Sequence, residues 1–300
     1  VRALAASLLI LAGGLLSASP VRAGDDCPPE CADAASLQLL KRQGFVVEDA
    51  TTRNALALGL LACLSSPDPL LRDGIAYEAL TAWLRGDQLD AGMRRQLRDR
   101  LYAMLQDVDE AGFRRPFSAL VLSEVARTDR IAQWMRPEER ADMVEAGAQY
   151  LTSIRDYRGY DNVQGWRHGI AHGSDWLMQL AMNPALQRAQ LDVILGAVAA
   201  QAVPQSAHAY IYGEPGRLAR PVLHVARRGA LTEVEWTAWF AALPGKIGDP
   251  SGAYADTAWL ARRHDLLAFL TAIHFEAQQS QDAGLKSLEL AAARAIKAVP

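Results

Sequence analysis

Apolar residues recur along this chain at intervals of three and four, the spacing that keeps them on one face of a helix. Thr51 and Thr52 read as the cap of a first segment through Leu56, Leu58, Leu60, Leu61 and Leu64, which stops at Ser65-Ser66-Pro67. Asp68-Pro69 then reads as an N-cap with proline in the first turn, where a missing N–H costs nothing. Leu71, Ile75, Tyr77, Leu80, Trp83 and Leu84 continue that helix. Further helices are expected over Leu89–Gln106, Pro116–Ala126, Glu138–Arg155, Val163–Met182, Ala185–Ala202, Arg217–Arg228, Thr232–Ala242, Ala253–Gln278 and Gly284–Ala298. Turn signals such as Asn183-Pro184 and Asp249-Pro250-Ser251-Gly252 separate them. No run of alternating β-branched residues is long enough to predict a sheet.

The expected class is therefore all-α. Short loops between many helices favour stacked antiparallel pairs, and the stretch from Asp68 to Ala76 resembles the second-helix signature of HEAT-type repeats. No strict period recurs, so the expectation is an irregular α-solenoid of the HEAT or armadillo kind, with a globular helical bundle as the alternative. In that signature Arg72 is free to bond a neighbouring turn. Residues 24–300 carry no boundary strong enough to divide them.

The N-terminus follows a different pattern. Arg2 precedes an apolar run from Leu4 to Leu16, and small or short residues lead to Val21-Arg22-Ala23. This is the layout of a signal peptide over residues 1–23, cut after Ala23, and it predicts a periplasmic or secreted protein without a membrane span. Loss of Arg2 and Arg22 takes the charge from −3 to −5. That mild acidity argues against nucleic acid or an anionic membrane as partner, both of which demand a basic face, and leaves a protein or small-molecule ligand. Cys27 and Cys31 have the spacing for a short disulfide in an oxidising compartment, and Cys63 lies in an apolar helical stretch as a core residue.

Polar chemistry is densest between Tyr157 and Leu177. On a continuous helix His168, His172, Asp175 and Gln179 share one stripe, opposite an anchor of Trp166, Ile170 and Leu177. Two histidines four apart with a carboxylate three further on could hold a divalent metal as His168, His172 and Asp175. They could equally form an acid/base pair, or bond backbone carbonyls between packed helices, with Gly169 and Gly173 serving helix contact alone. Asp161 and Asn162 read as caps. Trp236, Trp239, Phe240 and Trp259 read as core or inter-helix packing, with an exposed Trp236–Phe240 patch as the alternative.

Several of these motifs together resemble a bacterial family of helical proteins known as a domain of unknown function, family 2785. The resemblance runs from about Ser66 to Trp239. It rests on Asp68-Pro69 with Leu71-Arg72-Asp73 and Tyr77, on Phe117-Ser118-Ala119-Leu120-Val121-Leu122, and on Arg158-Gly159-Tyr160. Gly165-Trp166 with His168, His172 and Asp175, and Gly213-Glu214 with Arg217-Leu218, complete it. It implies a helical-repeat fold and no settled activity. Arg167 and Gly169 depart from the alanines usual in the family's histidine helix. With helices stacked as expected, Arg72, Asp73, Arg115, Ser118, Trp166, Glu214 and Arg217 are the candidate ligand-binding residues around the histidine stripe. The favoured reading is a binding scaffold, and the alternative is a hydrolase-like enzyme using the stripe. The segment Gly165–Gly169 is also similar to one in helical-toroid cyclases that hold zinc with cysteine and histidine, but no cysteine follows position 63 to assemble that set.

Overall fold

A computed structural model describes residues 34–300; the expected signal peptide and the expected Cys27–Cys31 bond lie outside the described residues. The all-α expectation holds. Helices α1 (Ala34–Arg42), α2 (Ala50–Cys63) and α3 (Pro69–Leu71) lead into a π-helical segment (Arg72–Tyr77) and then α4 (Glu78–Arg85). Next come α5 (Ala91–Gln106), α6 (Arg114–Ile131) and α7 (Pro137–Ser153). A hairpin of β1 (Tyr160–Asp161) and β2 (Gly165–Trp166) precedes α8 (Gly169–Ala181). The chain closes with α9 (Arg188–Gln201), α10 (Glu214–Arg227), α11 (Glu233–Ala241), α12 (Thr257–Gln279) and α13 (Ala283–Ala298).

Local chemistry explains the boundaries. Asp68 caps α3 as expected, its side chain accepting from the Leu70 N–H at 2.9 Å. The cap of α2 is Asp49 and not Thr51 or Thr52; its carboxylate accepts from the Thr52 N–H at 2.7 Å. A carboxylate outcompetes a hydroxyl for orphan N–H groups at a helix start. Asp129 plays a larger part: it accepts from the backbone of Trp134 and Met135, from Asn183, and from Arg140 at 2.6 Å. One buried carboxylate thereby ties the α6–α7 turn to the end of α8.

Contacts run α4 to α6, α6 to α8, α8 to α10 and α10 to α12, with α7 on α9 and α11 on α13. Helix α8 has α6, α7 and α10 as neighbours and is largely buried. The core between the helices is filled by Trp83, Trp176, Trp236, Trp259 and the phenylalanines at 113, 117, 240 and 269. Trp236 is only 1% exposed and Phe240 is fully buried, so the aromatics of α11 are core as expected and the alternative of an exposed patch does not hold. Cys63 is also in the core and is disulfide-bonded. No helix of the described residues is long and apolar enough to cross a membrane.

Candidate functional site

The expected helix from Val163 begins six residues late. Asp161 is no helix cap: its Oδ1 accepts from the N–H groups of Val163 and Gln164, both at 2.8 Å, and turns the chain back. Gly165 completes the turn at φ +75°, a conformation that disfavours any side chain. Tyr160 then faces Trp166 across the pair, and the Arg167 and His168 N–H groups extend it to the Gly159 and Arg158 carbonyls. His168 sits at φ 53°, ψ 40°, the left-handed residue from which α8 starts.

The histidine pair survives this change. The His172 N–H still bonds the His168 carbonyl at 3.1 Å, and the two rings lie 6.0 Å apart. His172 is buried, with Nδ1 3.1 Å from the Pro116 carbonyl on α6, so in the neutral ring that nitrogen donates. Its ring meets Phe117 edge-on at 5.2 Å. Burial, then His168 and Arg217, push its pKa down to about 3. His168 is half-buried and falls to about 4 by burial and the charge of Arg217. Both imidazoles are thus neutral at neutral pH.

Asp175 pairs with arginines instead. It takes a two-pronged ion pair from Arg217 and lies 3.7 Å from Arg220. Burial raises its pKa and Arg217 pulls it back. No three His, Cys, Asp or Glu side chains among the described residues are grouped as metal ligands, so His168, His172 and Asp175 do not form the expected cage.

Trp166 is no apolar anchor. It lies 38% exposed on β2 and stacks on His168 at 4.6 Å and 21°. Tyr160 meets its ring at 5.0 Å and Tyr212 edge-on at 5.8 Å. Beside this cluster, Tyr157, Arg158, Tyr160, Asp161, His208 and Tyr212 line an open cleft of about 410 Å3.

The other candidates divide. Arg72 is fully buried between Phe113 (4.1 Å) and Phe117 (4.7 Å). It donates to the Ser66 and Gln164 carbonyls and pairs with Asp73 at 2.6 Å, tying the π-helical segment beneath the hairpin. Ser118 is fully buried and bonds the Arg114 carbonyl, which removes it from any surface. Arg115 donates to Ser153 and faces a separate cavity of about 60 Å3 with Tyr150 and Gly112. Glu214 is buried and accepts from the Tyr212 N–H at 2.8 Å, fixing the loop that carries Tyr212. Arg72, Trp166, Glu214 and Arg217 therefore surround or brace the histidines, whereas Arg115 and Ser118 do not.

Tyr212 was missed by sequence reasoning, and Gly159 and Tyr160 stood there only as part of the Arg158-Gly159-Tyr160 motif and not as site residues. The signal was the alternation His208, Tyr210, Tyr212 between two helices, with Tyr210 inward and Ile211 outward. Gly159 lies directly under the Tyr212 ring, which a methyl there would overlap.

The sequence model described as "Protein of unknown function (DUF2785)" matches residues 101–275, more than half of the chain. The match begins later and ends later than the stretch expected from the motifs, and leaves Asp68 through Tyr77 outside it. No curated protein and no solved structure matches the chain.

Proposed function

The chain belongs to this family of proteins of unknown function, and from that premise we propose that it is an exported binding protein. Its ligand is held on the aromatic surface of Trp166, His168 and Tyr212. The observation that carries this reading is the convergence of Tyr160, Trp166 and Tyr212 beside an open cleft rimmed by Arg158 and Asp161. Aromatic faces with a few polar groups at the rim make a binding surface of stackable area and low ordering cost. Beneath it, His172, Arg72 and Glu214 spend their hydrogen bonds on backbone or on a neighbouring helix, as bracing residues do. The succession α6, α8, α10, α12 supports a helical-repeat scaffold under this surface. Export is supported by the layout of residues 1–23 and by the disulfide at Cys63, since such bonds persist in oxidising compartments.

A second reading, a hydrolase-like acid/base enzyme, is favoured by one atom. His168 Nε2 is buried without a close hydrogen-bond partner, the Tyr212 backbone acting on the ring only from further off, and a neutral imidazole there can accept a proton from a bound substrate.

One thermal-shift experiment addresses both. A panel of soluble oligosaccharides and short peptides is screened against the wild type and Trp166→Ala/Tyr212→Ala. The expected outcome is a compound that stabilises the wild type, by roughly 2.7 kcal/mol at about a hundredfold excess over Kd, and leaves the double variant unmoved. Binding that survives in the double variant removes this surface from the function. Turnover of the bound compound, lost in His168→Gln while binding persists, replaces the scaffold reading by the enzyme.

A further inference from the structure

A second cleft lies on the other side of Arg217, between α8, α10 and α12, with a volume of about 540 Å3. Its walls differ in chemistry. Arg217, Arg220, His224 and Arg227 recur at intervals of three, four and three along α10, which sets all four on one helical face. Met178 from α8 and Ala272 and Phe275 from α12 supply apolar lining, and Phe275 is 59% exposed. A ring left in water at the edge of a cleft is unspent apolar area.

The arginines are unequally paired. Arg217 is committed to Asp175 by its two-pronged bond. Arg220 reaches the same carboxylate only at 3.7 Å, and Arg227 has its nearest carboxylate, Asp282, at 4.0 Å. Both side chains are 40–49% exposed, so neither guanidinium is enclosed by its partner. Glu276 is the acid that lines the cleft itself. Burial first, and then the neighbouring Arg227, Arg130 and Arg220, hold the pKa of His224 down at about 4. Arg227 Nη1 lies 3.4 Å from His224 Nδ1, which in a neutral ring must accept. The proton is then on Nε2, and His224 offers a donor beside two under-neutralised guanidinium groups.

We propose that the cleft binds an amphipathic organic oxyanion, a phosphate or carboxylate head on an apolar body. The head lies between Arg220, His224 and Arg227, where a planar fork can grip two oxygens of a phosphate or carboxylate. The body lies along Ala272 and Phe275. A volume of this size holds a small organic molecule and is too large for an inorganic ion alone. This site goes beyond the aromatic surface and does not depend on it.

The test uses 1-naphthyl phosphate with the whole protein, followed by calorimetry, with inorganic phosphate as the head alone. Phosphatidylcholine vesicles with and without phosphatidic acid present the same head on a lipid. The variants are Arg220→Glu/Arg227→Glu and the milder Arg220→Gln/Arg227→Gln, with exposed Arg100→Glu as the distant control. The expected result is naphthyl phosphate binding that weakens at least about tenfold in both double variants and not in the control. Phe275→Ala should bring naphthyl phosphate down to the affinity of inorganic phosphate. Binding of the phosphatidic acid vesicles alone, lost in the double variants, supports the same site with a lipid headgroup as its source. Absence of all binding, or binding equal in the wild type and the Gln double variant, overturns the proposal. Equal affinity for naphthyl and inorganic phosphate in the wild type overturns the amphipathic part of it.

Discussion

His168 shows at the scale of one residue how a pattern can be right and its setting wrong. The four-residue interval between His168 and His172 correctly predicted that their rings come close, because the first bond of α8 runs from the His172 N–H to the His168 carbonyl. The interval does not reveal that His168 itself is left-handed, since a helical residue and the one just before the helix share that spacing. A side chain in the left-handed region costs about 1–2 kcal/mol, least for residues such as Asn and His and most for β-branched ones. The stack on Trp166 and the bond from the His168 N–H to the Arg158 carbonyl hold it there. His168→Asn is therefore expected to lose less than about 1 kcal/mol in urea unfolding, and His168→Val about 2 kcal/mol or more. Equal losses in the two variants would mean that the backbone at this position is not left-handed.

At the scale of elements, most helices were legible because one face of each is apolar and the turns carry Pro, Gly, Asn or Asp. The hairpin was not: each strand is two residues long, too short for any alternation to register. Its sequence signal was the turn alone, Asp161 with Gly165. The glycines of α8 were legible as packing residues, and their role is now specific. A Cβ on Gly173 would come within 3.0 Å of Tyr150 Cε1 and 3.1 Å of Leu151 Cδ1, so the packed side chains of α7 would have to give by a few tenths of an ångström to admit a methyl. Gly196, exposed on α9, has no such neighbour. Gly173→Ala is expected to destabilise by about 1–3 kcal/mol through overpacking. Gly196→Ala should stabilise by up to about 1 kcal/mol, since alanine is the better helix former and nothing opposes it. Both are read in the same urea melt, and a common sign would refute the close approach of α7 and α8.

At the scale of the whole molecule, buried titratable groups set how stability responds to pH, and no pattern along the chain announces this because burial decides each case. His172 is pushed down to about 3, His168 to about 4 and His224 to about 4, each chiefly by burial. Unfolded histidines regain a pKa near 6.5, so between about pH 4 and 6.5 the unfolded chain binds more protons than the folded one. Stability contributed by these three is complete above 6.5 and is lost as pH falls towards 4. Asp265 works in the opposite direction. Adjacent to exposed His264 but itself fully buried, it accepts from the Tyr210 N–H at 2.8 Å, and burial raises it to about 6. Its contribution is complete below about 4 and is lost as pH rises through 6. Asp73 and Asp175 are also raised by burial and oppose the histidines with Asp265, so the net gain in stability from about pH 4.5 to 7 is smaller than the histidines alone would give. His172→Gln should flatten that rise by more than a third, because His172 carries the largest downward shift of the three histidines and the opposing carboxylates are untouched. Asp265→Asn should steepen it, since an amide keeps an acceptor for Tyr210 without the ionisation. The same variant should gain about 1–2 kcal/mol at neutral pH after allowance for solvent screening. Urea melts at the two ends of the range decide it: a flatter profile in Asp265→Asn would show that the carboxylate is already ionised in the folded protein. The Tyr210 loop would then be anchored by a charge, and Tyr212, two residues on, would owe its position beside Trp166 to that charge.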